Sequence, residues 1–374
     1  MMQVEGWFNQ GNQQYRVKDW VGAVASYDKI LEIKPDSYEA WYNKASALKS
    51  LKRYEKAIAS YDKALEVQPE SHFAWSNRGI ALKNLGHYEE AIASYDRALE
   101  LQPDSHFTWS KRGIALGNLG RLEEAITSYD KALEIESDKH ETWNNRGIAL
   151  GNLGRLEEAI ESYDKALELK PDKYETWYNR GVDLGELEQY EEAVASYDRA
   201  LELKLDFWQA WIGRGSAAGS STAADPKPTC LTELAEQNPG LNQREYEGRL
   251  ASYKEGLRHC RQQTHPEGWG WLHWRTGKAH YLFGEQNSKP DSFWLKAIVE
   301  YVEATKTLTE FDFPEYYLEI LQDLIKIFFG LKQTAEAEKL QRRGSDLLRR
   351  LLDEPNRSAH NKEMLAQKFS SFEH

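Results

Sequence analysis

The sequence has 374 residues, with 48 Lys and Arg against 60 Asp and Glu, and a net charge of -12 at pH 7. The acidity is concentrated in residues 1–208, which carry 26 basic and 37 acidic side chains, whereas residues 209–374 carry 22 and 23. An acidic chain without a basic stripe argues against nucleic-acid binding, and no apolar run approaches the about 18–20 residues that cross a bilayer. We expect a cytoplasmic protein without nucleic-acid or membrane partners.

Tryptophan recurs at a fixed interval. Seven of the 13 tryptophans are each separated by 34 residues, and a period of this length is typical of stacked repeat arrays. An Ala follows sixteen residues after six of these tryptophans, and a Tyr follows four residues later, as at Ala91 and Tyr95. The seven are Trp7, Trp41, Trp75, Trp109, Trp143, Trp177 and Trp211.

One unit shows what the period encodes. Trp75, Gly79 and Leu82 are spaced to lie on one face of a first helix, and Ala91 and Tyr95 on one face of a second. A pair of helices this short cannot bury its apolar face alone, so stability has to come from stacking successive pairs. The pattern predicts an all-α array of antiparallel helix pairs.

These residues and their spacing resemble the tetratricopeptide repeat (TPR). The resemblance covers residues 1–216 as six full units and the start of a seventh. It implies a superhelical solenoid whose concave groove is lined by the first helices and binds protein partners.

The residue two positions after each Trp faces this groove if the resemblance holds. An asparagine side chain both donates and accepts hydrogen bonds, so a row of them suits the backbone of an extended peptide, and the row is similar to the asparagine ladder in the TPR arm of O-linked N-acetylglucosamine transferase. The alternative is that these amides bond neighbouring helices or are solvated. The predicted peptide-binding residues are Asn9, Asn43, Asn77, Lys111, Asn145 and Asn179.

The expected partner is an extended protein or peptide segment, neutral or basic because the array is acidic. Lys111 interrupts the asparagine row with a positive charge. It is the only clear cation of the groove in the middle units, so a basic clamp for a terminal carboxylate is disfavoured.

Two further rows have opposite charge. A Lys or Arg stands three residues after each Trp from Trp41 onwards, and an Asp follows each second-helix Tyr of the six units. These rows predict an ion-pair ladder along the array, with two solvated rows as the alternative. The cations are Lys44, Arg78, Arg112, Arg146, Arg180 and Arg214, and the anions are Asp28, Asp62, Asp96, Asp130, Asp164 and Asp198.

The second half departs from the period. Residues 217–240 are rich in small residues and Pro and predict a flexible linker or insertion. Residues 241–355 predict degenerate TPR-like helices, and residues 356–374 a C-terminal helix or tail.

Residues 240–370 carry a second resemblance. The stretches 313–324 and 340–357 resemble the helical region that precedes the caspase-like CHAT domain of cyanobacterial TPR–CHAT proteins. The resemblance implies an alternative function, the regulatory or sensor arm of a protease system whose catalytic domain is absent from this chain.

Catalytic signals are weak. His259 and Cys260 are adjacent, and neighbours on a helix point about 100° apart, which prevents a dyad. His273 and His280, with His265 nearby, lack the further ligands of a metal site. We therefore expect no enzyme activity, metal or cofactor, and a non-catalytic interaction scaffold is the leading prediction.

One cluster of tryptophans lies outside the period. Trp269, Trp271 and Trp274 are close together in the second half. We expect them to pack against residues 292–309, with an exposed aromatic patch for a partner as the alternative.

Overall fold

The computed structural model describes residues 2–223 and 228–372, and these residues contain helices and no strand. The chain divides into two compact units, residues 1–171 and 172–374. The helices of the first unit are α1 (Met2–Arg16), α2 (Trp20–Ile33), α3 (Tyr38–Ser50), α4 (Tyr54–Val67), α5 (His72–Asn84), α6 (Tyr88–Leu101), α7 (His106–Asn118), α8 (Leu122–Ile135), α9 (His140–Asn152) and α10 (Leu156–Leu169).

The second unit is also helical. Two 3-10 helices, at Pro239–Asn242 and Ser370–Phe372, accompany its α-helices. These are α11 (Tyr174–Glu186), α12 (Tyr190–Leu203), α13 (Trp208–Ser220), α14 (Thr232–Gln237), α15 (Glu245–His259), α16 (Pro266–Glu285), α17 (Asp291–Ala304), α18 (Pro314–Gly330), α19 (Thr334–Asp353) and α20 (Ala359–Lys368).

In most repeats a tyrosine of the second helix packs on a glycine of the first helix; the second repeat has Ala45 in the place of the glycine, in one core cluster with Tyr61. A Cβ built on Gly79 would lie 2.6 Å from the ring of Tyr95, and one on Gly113 would lie 2.6 Å from the ring of Tyr129. A Cβ at either position would require a shift of the ring, so the glycine allows a close approach of the two helices in these repeats. The predicted core role of these residues is confirmed.

The periodic tryptophans donate hydrogen bonds to the turns between repeats. The indole N–H of Trp75 donates to the carbonyl oxygen of Pro69 at 2.8 Å, and that of Trp143 donates to Ser137 at 2.8 Å. A backbone carbonyl is available whatever the side chain, which is why Ser137 replaces the usual proline without changing the contact. The 34-residue period of tryptophan therefore reflects a repeated hydrogen bond at a position that is half-buried in the first six repeats.

The ion-pair ladder is confirmed at five steps. Each cation lies on a first helix and each anion on the second helix of the preceding repeat. The pairs are Lys44–Asp28 (2.6 Å), Arg78–Asp62 (2.7 Å), Arg112–Asp96 (2.6 Å), Arg146–Asp130 (2.6 Å) and Arg214–Asp198 (2.5 Å).

The arginines also bind within their own repeat. Arg112 Nη1 donates to Ser128 at 2.8 Å, and Arg146 Nη1 to Ser162 at 2.7 Å. The guanidinium of Arg112 lies 5.8 Å from the ring centroid of Trp109. We call this arrangement the arginine clamp: one side chain joins the second helices of two successive repeats.

The seventh repeat is complete. Helix α13 packs against α15, where Gly215 meets the ring of Tyr253 and Arg214 donates to Ser252 at 2.7 Å. These are the contacts of the regular repeats, although 24 residues, 221–244, separate the two helices. The sequence carries the signal at Ser252–Tyr253, which matches the Ser–Tyr of the earlier second helices.

The segment predicted as a flexible linker, residues 217–240, contains regular structure where it is described. Helix α13 extends to Ser220, and α14 and a 3-10 helix follow. Buried Leu231, Ala235 and Leu241 anchor these elements, and Arg214 donates to the carbonyl oxygen of Leu241 at 2.8 Å. Residues 224–227 of this segment lie outside the described residues.

Two further helix pairs follow, α16 with α17 and α18 with α19. In the first of them Gly277 meets the ring of Tyr301, as in the regular repeats, which makes it the eighth repeat. The C-terminal helix α20 and the 3-10 helix after it lie against α19, where the ring of Phe372 meets Gly344.

Two glycines of α7 give a direct test of the tyrosine contact. We expect Gly113→Ala to destabilise the chain by about 1–3 kcal/mol, because the new Cβ overlaps the Tyr129 ring. Gly117→Ala is the control, because nothing lies within 4 Å of its Cβ, and it should leave stability unchanged or raise it by up to about 1 kcal/mol, since Ala is the better helix former. Urea unfolding followed by far-ultraviolet circular dichroism measures both, and equal midpoints would contradict the role assigned to Gly113.

The arginine clamp makes a second prediction. Arg112→Gln leaves Asp96 and Ser128 without their partner, and we expect a loss of about 1–2 kcal/mol. Arg97→Gln breaks only an exposed pair with Glu100 on the same helix and should cost less than about 0.5 kcal/mol. The same urea titration compares the two variants. An equal or larger loss in Arg97→Gln would show that the clamp contributes no more to the free energy of unfolding than an exposed ion pair does.

Candidate functional site

In the first unit, the first helices form the inner face of the stack. Successive first helices contact each other directly, α3 with α5, α5 with α7 and α7 with α9. The second helices lie on the other side, separated by the first helices between them. The exposed side chains of these first helices form the candidate site.

Two of the predicted asparagines are bonded within the protein. Asn77 donates to the hydroxyl of Tyr42 at 3.1 Å and to the carbonyl of Phe73 at 2.9 Å, and it accepts from Lys49 at 2.6 Å. Asn43 donates to Asn12 at 3.4 Å. These amides link neighbouring first helices, so the side chain of Asn77 is already occupied.

The other predicted positions differ from one another. Asn9 is exposed and Asn145 is half-buried, and neither has a hydrogen-bond partner among the described residues. Lys111 lies over the ring of Phe107 at 5.1 Å and has no ion pair in the described part of the chain. Asn179 belongs to the second unit, and its side chain or backbone interacts with another residue. The predicted row is therefore a mixture of engaged and available side chains.

Exposed apolar residues accompany this row, and the sequence reasoning missed them. Phe73 is 61% exposed, Phe107 45% and Ile148 38%. The two phenylalanines lie one helical turn before Asn77 and Lys111, and Ile148 lies three residues after Asn145, so all three share the inner face. The available signal was an aromatic residue two positions before Trp75 and Trp109, where Glu39 and Glu141 stand in the neighbouring repeats.

The centre of the inner face is positive. Lys83 and Lys111 are close enough for their charges to repel, and burial together with that repulsion lowers the pKa of Lys83. Lys83 has no ion pair among the described residues. A hydrogen-bond acceptor from a partner, either a backbone carbonyl or a carboxylate, would offset the repulsion between the two lysine charges.

A further cavity lies elsewhere in the first unit. It measures about 800 Å³ and lies between the second helices α8 and α10. Arg146, which lines it, is already held by Asp130 and Ser162, and the surrounding side chains are mostly acidic, as at Glu134 and Glu161. This groove is the space that the arginine clamp spans.

The adjacent His259 and Cys260 do not form a catalytic pair. Burial raises the pKa of the Cys260 thiol to about 12, so the thiol stays protonated, and its Sγ donates to the carbonyl of Asp206 at 3.4 Å. The His259 ring stacks on Trp211 with a centroid distance of 6.0 Å.

The other histidines are also engaged. His273 Nδ1 lies 2.6 Å from Glu300, and His280 Nδ1 lies 2.7 Å from the hydroxyl of Tyr246. Among the described residues, no three His, Cys, Asp or Glu side chains are grouped to hold a metal ion. The same residues include no helix that is long and apolar enough to cross a bilayer.

Two of the three clustered tryptophans of the second unit, Trp271 and Trp274, belong to a core, whereas Trp269 is half-buried and lies edge-on against His273 with centroids 4.1 Å apart. Trp274 is buried with Ala297, Tyr301 and Ala304 of α17, as expected from the sequence. Trp271 packs edge-on against Trp274 with centroids 5.2 Å apart.

Family models match the regular part of the chain. The model described as tetratricopeptide repeat matches residues 38–71, 72–105, 140–173 and 174–207, and one described as TPR repeat matches 118–154. Residues 38–105 and 118–207 therefore carry tetratricopeptide repeats. No curated protein matches it.

Solved structures give the same fold. A TPR protein from Parabacteroides merdae ATCC 43184 is 16% identical with a TM-score of 0.52, over 73% of this chain and 99% of that one. YrrB, described as a TPR protein with an unusual peptide-binding site, is 27% identical with a TM-score of 0.44, over 49% of this chain and 95% of its own. A MamA protein is 23% identical with a TM-score of 0.43, over 46% and 93%. The likeness to the first of these supports a TPR solenoid.

The two kinds of asparagine should respond differently to substitution. We expect Asn77→Ala to lower the thermal midpoint, because it leaves Lys49 and the Tyr42 hydroxyl without a partner, at a cost of about 1 kcal/mol. Asn145→Ala, on an equivalent position without a bonded neighbour, should leave the midpoint within about 1 °C, since the loss is below about 0.2 kcal/mol. Differential scanning calorimetry of the full chain measures both, and equal shifts would mean that the two amides have the same structural role.

Proposed function

We propose that the inner face of the first unit binds an extended peptide or protein segment and that the chain acts as a non-catalytic scaffold. TPR proteins generally mediate protein–protein interactions. The observation that carries the finer proposal is the exposure of Phe73, Phe107 and Ile148 beside the unpartnered Asn145 and Lys111. Apolar surface and unused polar groups together are what an extended peptide needs.

The available polar groups define how the segment is held. Asn145 offers both donors and an acceptor to peptide backbone, while Lys83 and Lys111 offer donors to a carbonyl or carboxylate near the centre. Asn77 acts as a support that fixes the neighbouring helices. Asn9 and Asn43 remain part of the proposed row, whereas Asn179 belongs to the second unit and is not part of this site.

The charge of the repeats sets the overall character of the partner. Residues 1–208 have a net charge of -11, from 26 basic and 37 acidic side chains, so encounter is favoured for a neutral or basic segment. The lysines at the centre add one local requirement, an acceptor at the middle of the bound segment.

A peptide array screened with the full chain supplies a ligand for the test, with binding then measured by fluorescence anisotropy. We expect the double variant Phe73→Ser/Phe107→Ser to weaken binding at least tenfold, because burial of two rings is worth more than about 1.4 kcal/mol. Phe311→Ser is the matched control, since Phe311 is 76% exposed in the second unit. Unchanged affinity in the double variant, with its thermal midpoint preserved, would exclude this face.

The sequence of residues 313–324 and 340–357 favours a second candidate, a regulatory arm for a caspase-like CHAT protease. In this function, partner binding by the repeats would control a protease carried on another stretch of chain. The encoding locus tests it: a domain with paired catalytic His and Cys in the same reading frame or the neighbouring gene supports the candidate, and none there counts against it.

A further inference from the structure

Helix α19 is in register with the second helices of the regular repeats. Lys332 and Gly154 both have a positive φ at the turn before the helix, and Ala337 and Ala159, five residues later, are both fully buried. In both turns the next residue donates its backbone N–H to the carbonyl oxygen five residues earlier. Helix α19 is therefore the second helix of a degenerate repeat and is equivalent to α10.

The charge of one surface is reversed between these two helices. On α10 four charged positions line the cavity of the first unit, and three of them are acidic. On α19 the same four positions carry three cations and one acid, so their net charge changes from -2 to +2. In the same order, they are Glu161, Asp164, Lys165 and Glu168 on α10 and Lys339, Arg342, Arg343 and Asp346 on α19.

The four α19 positions line a groove of about 670 Å³, within the size range of ligand sites. Arg350 of α19 and Glu310 from the segment before α18 complete its charged lining. The lining therefore has four cations against two acids, because Glu336 and Glu338 of α19 lie outside it. We call it the α19 groove.

Glu310 neutralises two of these cations only in part. One of its carboxylate oxygens lies 3.6 Å from Arg343 Nε and 3.4 Å from Arg350 Nη2. Both distances are longer than the about 2.7–2.9 Å of a charge-assisted hydrogen bond. The two guanidinium groups therefore keep donors for a carboxylate from a partner.

The other two cations, Lys339 and Arg342, have no ion pair in the described part of the chain. The guanidinium of Arg342 donates only to the backbone carbonyl oxygen of Glu338, at 3.4 Å. Asp346, the second acid of the lining, lies 3.5 Å from Arg349, which does not line the groove. Lys339 and Arg342 thus present exposed charges to the groove without an anion of this chain.

Aromatic rings position the two arginines that share Glu310. The guanidinium carbon of Arg343 lies 5.1 Å from the ring centroid of Tyr317, and that of Arg350 lies 5.7 Å from the ring centroid of Phe311. Such contacts restrict the side chains before a partner arrives, which reduces the entropy lost on binding. Phe311 is 76% exposed and adds apolar surface beside Arg350.

We propose that the α19 groove is a second docking surface, separate from the inner face of the first unit, and that it binds an acidic protein segment. One carboxylate of the segment accepts from Lys339 and Arg342, a second accepts from Arg350, and an apolar side chain covers Phe311. Lys339 and Arg350 are eleven residues apart, about 16 Å along the helix, which an extended segment spans in about five residues.

The charge of the lining selects this occupant. A net charge of +2 attracts Asp and Glu side chains and repels Lys and Arg, the opposite of the preference of the acidic repeats. The net charge of -12 on the whole chain does not prevent binding, because repulsion between exposed charges is screened beyond about 8 Å at physiological ionic strength.

The probe is a library of N-acetylated, C-amidated ten-residue peptides with two Glu residues five positions apart and a Phe directly after the second. A matched library carries Gln in place of both Glu residues. Binding to the full chain is measured by fluorescence anisotropy. We expect the best Glu peptides to bind at least tenfold more tightly than their Gln counterparts, and equal affinities overturn the proposal.

Substitutions locate the site. Lys339→Glu/Arg342→Asp restores the acids of α10 and should weaken binding of the Glu peptides at least tenfold. Lys289→Glu/Lys326→Glu is the control, because it makes the same change of net charge at exposed residues outside the groove, and it should change the affinity less than about twofold. Retained affinity in the first variant, or an equal loss in both, overturns the proposal. Lys339→Gln/Arg342→Gln repeats the test without charge reversal if the first variant has a lowered thermal midpoint.

Other occupants of the groove would give different results. A second copy of the chain would produce self-association in sedimentation velocity without peptide, and Lys339→Glu/Arg342→Asp would remove it. A nucleic acid would make a fluorescein-labelled ten-nucleotide single strand bind more tightly than the best Glu peptides. Either result overturns the assignment to an acidic segment. The variant Phe73→Ser/Phe107→Ser should bind the Glu peptides normally, and a loss there would assign them to the inner face instead.

Discussion

The contact between a first-helix glycine and a second-helix tyrosine is the constraint on which the fold depends. It recurs in seven of the eight repeats, from Gly11 with Tyr27 to Gly277 with Tyr301, and the second repeat has Ala45 in the place of the glycine. A Cβ at these glycines would overlap the ring, so the contact fixes the distance between the two helices of each pair. Once that distance is fixed, the remaining positions of the repeat are free to vary.

The residues at the junctions between repeats vary in this way. Between regular repeats, the arginine clamp joins successive second helices through an Asp and a Ser, and the groove beside it stays acidic. Between the seventh and eighth repeats the clamp is absent, and Lys254, Thr276 and Glu300 take its places. A cavity lined by two lysines, two glutamates and His280 lies at this junction, while the Gly277–Tyr301 contact is retained in the helix pair.

On the inner face of the first unit, equivalent residues of different repeats have different hydrogen-bond partners. Asn77 and Asn145 occupy the same position of the repeat, yet one is bonded to Tyr42 and Lys49 and the other has no partner among the described residues. The difference arises because the neighbouring repeats present different side chains to each amide. A position in a repeat therefore predicts where a side chain lies, while the adjacent repeats decide what it binds.

The sequence by itself determined the helix pairs, the core positions and the charge rows, because each is a matter of period and local geometry. It also indicated the degenerate helices of the second half. Only the tertiary structure decided that α15 completes the seventh repeat across a 24-residue insertion, since that pairing depends on Tyr253 reaching Gly215 and Ser252 reaching Arg214. It also decided which asparagines are occupied and that His280 opens onto a cavity, because hydrogen-bond partners and burial come from residues distant in the chain.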